Sequence, residues 1–333
     1  MPRQCCANEA WNRLDRSVPA ARCRPLACFV AVAIEMRSGD LVEYLLLAAI
    51  WGGSFLLTRV AVPEFGPFAL MFVRCGAAAV LMVGYLAVRG QLSALRGNLW
   101  RSGLIGIVGS AMPFALLGYG LVSLSAGLGS ILNATTPMFT ALVGWLWMAE
   151  RLPAARAAGI AIGFAGVVVL AWSRLTGGVG AWLPVAACLM STLCYGVAAN
   201  ATRRYLADVP ALIGATGSQI GAALALAPFA AFSWPTPMPS ALAWGNAITL
   251  AAVCTAVAYL LYFRLIKHAG AQRAATVTYV IPLFGVLWGA WLLGERLEPR
   301  QLLGGAIIIV GSALAIGLLR LGRRTVPLRP PAP

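Results

Sequence analysis

Charged residues are scarce in this chain of 333 residues and make up 11% of it, whereas soluble globular proteins carry about 25%. Histidine and lysine occur once each, as His268 and Lys267. No grouping of histidines, carboxylates or cysteines has the spacing typical of a metal site or an acid–base pair. We therefore predict no metal, no cofactor and no enzymatic activity. A Walker A sequence is also absent, which excludes an ATP-driven pump on this chain alone.

The low charge is accompanied by a high content of hydrophobic residues. Hydrophobic residues make up 60% of the chain, against about 45–50% in soluble domains. A membrane-spanning helix needs roughly 20 mostly apolar residues, and backbone groups cannot stay unpaired in lipid. Because no run alternates as a strand would, we predict an all-α membrane protein. Its ten transmembrane helices are expected near residues 43–60, 67–88, 101–121, 127–148, 156–173, 181–199, 209–231, 242–264, 273–293 and 301–319.

The remaining charges are mostly basic, with a formal net charge of +15 at pH 7. The arginines lie between the apolar runs rather than along one helix face, so we predict contact with membrane lipid and no binding of nucleic acid. With ten spans the basic residues collect on one side, which the positive-inside rule identifies as the cytoplasm. Both termini are then cytoplasmic. The inner loops hold Arg89, Arg96, Arg101, Arg151, Arg156, Arg203, Arg204, Arg264, Lys267 and Arg273.

An internal repeat divides the chain. Residues 137–166 align without a gap with residues 282–311, at a constant shift of 145, and eleven of the thirty positions are identical. Five spans in each half is an odd number, so the second half is inverted relative to the first. Inverted repeats place a substrate path between the halves, near the middle of the bilayer.

Four segments follow from this organisation. Residues 1–41 form a cytoplasmic tail, 42–173 the first repeat, 181–320 the second repeat and 321–333 a second cytoplasmic tail. The first 35 residues lack the pattern of the repeats, and Met36 begins a more natural start. The sequence leaves open whether residues 1–35 come from an over-extended reading frame.

The run Trp51-Gly52-Gly53-Ser54-Phe55 resembles EamA-type members of the drug/metabolite transporter superfamily. The resemblance continues through Arg74 and Pro137 to the matched helix ends 149–152 and 294–297, and it covers about residues 42–320. It implies an inner-membrane carrier built of two EamA repeats that moves small metabolites, often outward. It does not imply a particular substrate.

Polar and aromatic residues recur at helical spacing along several spans and suit an uncharged or zwitterionic ligand, with rings for packing and hydroxyls and amides for orientation. The alternative use of these groups is hydrogen bonding between helices, which membrane bundles employ routinely. We predict a substrate site formed by Trp51, Ser54, Asn133, Thr136, Tyr195, Thr255, Tyr259 and Tyr279.

Two prolines, Pro137 and Pro282, fall at matching depth in the fourth and ninth spans. A helical proline cannot donate to the carbonyl four residues earlier, so Asn133 and Thr278 are each expected to keep a free carbonyl. Free carbonyls at membrane depth are tolerated where they face protein or a wet cavity. The prolines are predicted to be hinges, and static kinks are the alternative.

Two charged residues stand out. Arg74 lies eight residues into the second span, where an arginine is energetically expensive and is therefore a candidate for function. It could bind an anionic substrate group or anchor the helix. Glu43, at the start of the first span, is the acidic residue nearest to mid-depth, so it is the one candidate for proton coupling.

These observations predict a secondary transporter that works by alternating access, with export of amino acids or related metabolites across the inner membrane as the favoured activity. A sugar-phosphate or nucleotide-sugar translocator is the alternative carrier, although it would need several buried cations. A non-transport membrane protein is the other alternative. The small-residue face at Gly159 and Gly163 is predicted either to pack the halves together or to join two copies in a homodimer.

Overall fold

The computed structural model describes residues 38–178 and 180–318, which are helical with connecting turns and contain no strand. Expectations about residues 1–37, 179 and 319–333 lie outside the described residues. The α-helices are α1 (Ser38–Val88), α2 (Leu92–Gly106), α3 (Met112–Leu121), α4 (Ala126–Asn133), α5 (Thr136–Met148), α6 (Ala154–Leu175), α7 (Leu183–Tyr205), α8 (Ala211–Phe232), α9 (Ala241–Ala251), α10 (Ala258–Ala269), α11 (Ala271–Ala275), α12 (Val277–Leu293) and α13 (Pro299–Ala315).

Seven helical stretches of the described chain are long and apolar enough to cross a membrane. This agrees with the predicted all-α membrane protein, while the count of ten spans stays a prediction. The stretches are Gly39–Val88, Leu92–Leu121, Ala154–Leu175, Leu183–Tyr205, Ala211–Phe232, Ala241–Ala269 and Arg273–Leu293. The shorter α13 is also apolar.

The structure has fewer long apolar stretches than the ten predicted spans in part because α1 runs through two of those spans. It contains 51 residues, about 75 Å of helix at about 1.5 Å per residue, more than twice the roughly 30 Å of a bilayer core. The helix is interrupted at Gly66, whose φ of 71° and ψ of 164° are not helical. Glycine suits this position because it has no Cβ to clash at positive φ. The interruption agrees with the two spans predicted at 43–60 and 67–88.

A break also divides the predicted span 127–148, because α4 ends at Asn133 and α5 begins at Thr136. Pro137 therefore lies in the first turn of α5, where a missing N–H removes no helical hydrogen bond. In the second half the helix is broken at Thr276, three residues before the position equivalent to Ala134, and Pro282 lies inside α12. The two prolines thus occupy different helical positions, although the sequence repeat places them in equivalent ones.

Two π-helical segments interrupt the helical stretches Leu92–Leu121 and Ala241–Ala269. They span Ile107–Ala111, between α2 and α3, and Ala252–Val257, between α9 and α10. Their first residues are separated by 145 positions, which is the shift of the sequence repeat. π segments often occur at functional sites.

Glycines hold α6 and α13 together. A Cβ added to Gly159 would lie 2.6 Å from the amide nitrogen of Ala315, and one added to Gly166 would lie 2.8 Å from that of Ile308. Only glycine permits such a close approach of two backbones. The face predicted to join the halves or two copies is thus used within the chain, and a homodimer stays a prediction.

Candidate functional site

A cavity of about 300 Å³ lies among α1, α3, α5, α7, α10 and α12, with the helix break after α4 and the second π segment on its wall. The volume is at the lower end of the range for small-molecule sites, about 300–1,000 Å³. Seven of the eight predicted substrate residues line it, namely Trp51, Ser54, Asn133, Thr136, Tyr195, Thr255 and Tyr259. Arg74 lines the same cavity.

Trp51 and Ser54 come from the first half of α1, where a spacing of three residues puts both on one face. The Ser54 hydroxyl donates to the carbonyl of Trp51 at 2.7 Å, which satisfies this buried polar group locally. The Trp51 ring packs against that of Tyr262 with centroids 5.2 Å apart. This end of the cavity therefore offers a fixed aromatic surface.

Asn133 and Thr136 lie on either side of the break between α4 and α5. The Thr136 hydroxyl donates to the carbonyl of Asn133 at 2.7 Å. The expectation of a free carbonyl at Asn133 was therefore wrong, because a neighbouring side chain replaces the missing helical donor. The break nevertheless brings both residues to the cavity wall.

Tyr279 does not line the cavity, whereas its neighbour Thr278 does. Both residues lie in the first turn of α12, where adjacent side chains point about 100° apart around the helix axis. Tyr279 is consequently buried within the protein. Thr278 donates its hydroxyl to the carbonyl of Ala275 at 2.8 Å.

Arg74 is buried beside the cavity, with 4% of its surface exposed. Its Nε donates to the hydroxyl of Thr255 at 3.1 Å, and its guanidinium carbon lies 3.9 Å from the centroid of the Phe114 ring. Thr255 belongs to the second π segment and donates in turn to the carbonyl of Leu250 at 2.8 Å. Among the described residues, no carboxylate forms an ion pair with Arg74.

A second contact repeats this arrangement in the other half. Gln219, fully buried, donates through Nε2 to the hydroxyl of Ser110 at 3.0 Å. Gln219 follows Arg74 by 145 residues, and Thr255 follows Ser110 by the same number. Sequence reasoning missed this pair, because the aligned repeat begins only at Pro137; extending the shift of 145 upstream of it would have found the pair.

Glu43 lies away from the cavity, at the start of α1. It is 9% exposed, and its Oε2 lies 3.4 Å from Nε of Arg264. Ligand atoms of Asp40, Glu43 and His268 lie within 4.8 Å of one another. The sequence predicts no metal group, and the adjacent guanidinium opposes a cation at this place. The predicted coupling role of Glu43 stays a prediction.

Two glutamates that match in the sequence repeat make different contacts. Glu295 accepts hydrogen bonds from the amides of Ala126 and Gly127, at 3.0 and 3.4 Å, and so caps the first turn of α4. Glu150 instead pairs with Arg203 at 2.6 Å. The two equivalent positions are therefore held by different contacts.

Two parts of the chain, residues 40–172 and 182–317, match the sequence model of the EamA-like transporter family. The chain belongs to the EamA-like transporter family. This confirms the family that the tryptophan–glycine motif and the matched helix ends indicate. Membership in a transporter family also agrees with the predicted lack of enzymatic activity.

Relatives from bacteria and plants match over most of their length. The uncharacterized inner membrane transporter YedA of Escherichia coli K12 is 28% identical over 293 residues, covering 85% of this chain and 91% of its own. A probable terminal-alkyne amino-acid exporter of Streptantibioticus cattleyicolor is 27% identical over 297 residues, covering 87% and 97%. The chloroplastic WAT1-related protein At3g02690 of Arabidopsis thaliana is 25% identical over 293 residues, covering 82% and 69%.

A solved crystal structure has the same fold. It superposes with a TM-score of 0.60 at 21% sequence identity and covers 84% of this chain and 97% of its own. The likeness extends over nearly the whole of the solved chain.

Proposed function

We propose that this protein is a secondary transporter of small organic metabolites, such as amino acids or related compounds, and that it exports them across the inner membrane. The cavity is the proposed substrate site. The observation that carries the proposal is its wall, which combines aromatic rings, hydroxyls and an amide from both sequence repeats. Such a wall can pack an apolar body and orient a few polar groups.

The proposed topology has ten spans with both termini in the cytoplasm. The support for this topology is that charged residues at the predicted cytoplasmic ends of different spans pair with one another. The ion pairs between described lysine or arginine and acidic side chains all join ends that the sequence assigns to the cytoplasm. They are Arg101–Asp208 at 2.9 Å, Arg203–Glu150 at 2.6 Å and Arg264–Glu43 at 3.4 Å. The hydrogen bond from Arg101 holds the pKa of the Asp208 carboxyl below its usual value.

Contacts at the proposed outer side agree with the same topology. Arg59, at the end of the first span, donates to the carbonyls of Leu121 and Val122, at the end of the third. Glu64 accepts from the amide and hydroxyl of Ser240, between the seventh and eighth spans. Each contact joins two predicted outer ends.

The proposed mechanism is alternating access by two inverted halves. Equivalent contacts support a common architecture: a Cβ on Gly52 would lie 2.6 Å from Phe284, and one on Gly196 would lie 2.8 Å from Phe139, 145 residues before Phe284. The unlike contacts of Glu150 and Glu295 suit a protein with one end closed. Exchange of such contacts between the halves is how inverted repeats alternate.

Export and an amino-acid-like substrate are supported by the Streptantibioticus relative, whose name describes an amino-acid exporter. A sugar-phosphate or nucleotide-sugar would carry more negative charge than one arginine can balance. Arg74 is the single cation on the described wall of the cavity. We therefore favour small metabolites with at most one anionic group over those alternatives.

Comparison of metabolites released by three bacterial strains tests the proposal. One strain lacks the chain, one overexpresses it and one overexpresses Trp51→Ala at the same membrane abundance. We expect at least one small organic solute to accumulate in the medium of the second strain alone. Media that do not differ among the three strains would contradict a role in export.

A further inference from the structure

We propose that Arg74 is the anion-binding residue of the cavity and that the transported molecule carries a carboxylate. The inference rests on the proposed function and narrows its substrate class. It starts from the contacts of the Arg74 guanidinium, which has three nitrogens and five N–H groups. The hydrogen bonds among described residues use one of those nitrogens, Nε, which donates to Thr255.

The two terminal nitrogens of Arg74 are thus the ones left for a ligand. A guanidinium binds a carboxylate through two parallel N–H···O bonds, and its end-on form uses both terminal nitrogens. Thr255 holds the inner end of the group, and the Phe114 ring lies against its face. The guanidinium is therefore already oriented before a ligand arrives, which lowers the entropy lost on binding.

The charge around the cavity favours an anion. Arg74 is the single charged residue on the described wall, and no carboxylate of the described chain pairs with it. A buried charge without a counter-ion is costly in a low-dielectric surrounding. A carboxylate on the substrate would supply the missing charge, whereas an amine or quaternary ammonium would be repelled.

Gln219 argues against a purely structural role for the charge of Arg74. It occupies the position 145 residues later and makes the equivalent hydrogen bond, to Ser110, with a neutral amide. A neutral side chain is therefore sufficient for the hydrogen bond at the equivalent place in the repeat. The positive charge of Arg74 is an addition that the helix contact does not require.

A carboxylate fits the site better than a phosphate. A phosphate monoester carries about −1.5 to −2 charges at pH 7, and one guanidinium balances a single negative charge. A planar monoanion matches the guanidinium in charge and in geometry. Phosphate recognition is the competing outcome of the experiment below.

The experiment uses the full chain in lipid nanodiscs and four probes with one aromatic body: 3-phenylpropanoate, 3-phenylpropanamide, 3-phenylpropylamine and phenyl phosphate. Affinities are measured by titration calorimetry for wild type, Arg74→Gln and Arg74→Lys. Arg74→Gln introduces the residue that the chain itself uses at the equivalent position, so it is expected to fold. Gln219→Met is the matched control, because it removes the equivalent hydrogen bond without a change in charge.

We expect wild type to bind the propanoate at least about tenfold more tightly than the amide, since a charge-assisted hydrogen bond contributes more than a neutral one. The preference should vanish in Arg74→Gln, remain in part in Arg74→Lys and be unchanged in Gln219→Met. Equal affinities for propanoate and amide, a stronger preference for phenyl phosphate, or binding of no probe would overturn the inference. The release of metabolites described above is an independent measurement, so export by wild type with no effect of Arg74→Gln would leave the proposed function standing.

Discussion

Arg74 and Gln219, 145 residues apart, each donate one hydrogen bond across the protein, at 3.1 Å to Thr255 and at 3.0 Å to Ser110. The two acceptors are also separated by 145 residues. The correspondence lies upstream of the segment in which the sequence repeat is visible. Two side chains of different charge thus make equivalent contacts between helices. Of the two, Arg74 lines the cavity.

Removal of side chains from the cavity wall is expected to reduce transport without loss of protein. Trp51→Ala, Asn133→Ala and Tyr259→Ala should each lower the export rate by about tenfold, because a lost packing or hydrogen-bond contact costs about 1–3 kcal/mol. Metabolite release per unit of membrane-inserted protein measures this. Leu283→Ala is the control, because Leu283 is 67% exposed on the outside of α12. Equal losses in the control and the wall variants would contradict the site.

The topology makes a separate prediction. Reporter fusions after Arg89 and Arg324 should report a cytoplasmic location, and fusions after Gly177 and Thr236 an outer one. The reason is the concentration of arginine in the loops predicted to be inside. A C-terminal fusion that reports the outer side would rule out ten spans with the N-terminus inside.

Glu295 is expected to hold one end of the cavity shut. Its carboxylate binds two amides in the first turn of α4, and a negative charge at a helix N-terminus contributes about 0.3–1 kcal/mol at an exposed site. Glu295→Gln should therefore raise the labelling of a cysteine at position 199, on the cavity wall, by an impermeant maleimide added from the outer side. The assay uses a variant whose native cysteines are replaced.

Glu150→Gln is the matched control for Glu295. Glu150 pairs with Arg203 rather than with the start of a helix, so outer labelling should stay at the level of the parent variant. If both substitutions raise outer labelling equally, the Glu295 contact is not a specific closure.

The two prolines are expected to have unequal effects. In Pro282→Ala the new N–H can donate to the carbonyl of Thr278 and straighten α12, so transport should fall and one facing state should dominate. In Pro137→Ala the carbonyl of Asn133 already accepts from Thr136, so a smaller effect follows, biased toward the opposite state. Labelling at position 199 from each side measures the two states. Unchanged labelling and transport in both variants would make the prolines static kinks.

The sequence predicts most of the cavity wall, and its reasoning is simplest where one unbroken helix carries the residues. Trp51 and Ser54 lie in continuous α-helix, so their spacing correctly puts them on one face. Tyr279 does not line the cavity because it directly follows Thr278 in α12, and adjacent helical side chains point about 100° apart. A contact that the sequence does not signal lies nearby, where the hydroxyls of Tyr44 and Thr276, 232 residues apart, are 3.1 Å from each other. A contact so distant leaves no local signal.

The π segments escaped prediction for a related reason. Each widens a helical turn by one residue, which shifts the phase of the residues beyond it. Ser110 and Thr255, which accept the two equivalent hydrogen bonds, both lie in such segments. No residue type marks a π turn as proline or glycine marks a break, although the spacing of Thr255 and Tyr259 correctly predicts that both line the cavity.

Two-sided access to the cavity tests the central claim most directly. A cysteine introduced in place of Ala199, in the otherwise cysteine-free chain, is exposed to an impermeant maleimide from the outer side in whole cells and from the inner side in inverted vesicles. Alternating access predicts labelling from both sides, with protection from both by a transported solute. Labelling from one side alone, whatever solute is present, would contradict a transporter that carries its substrate through this cavity.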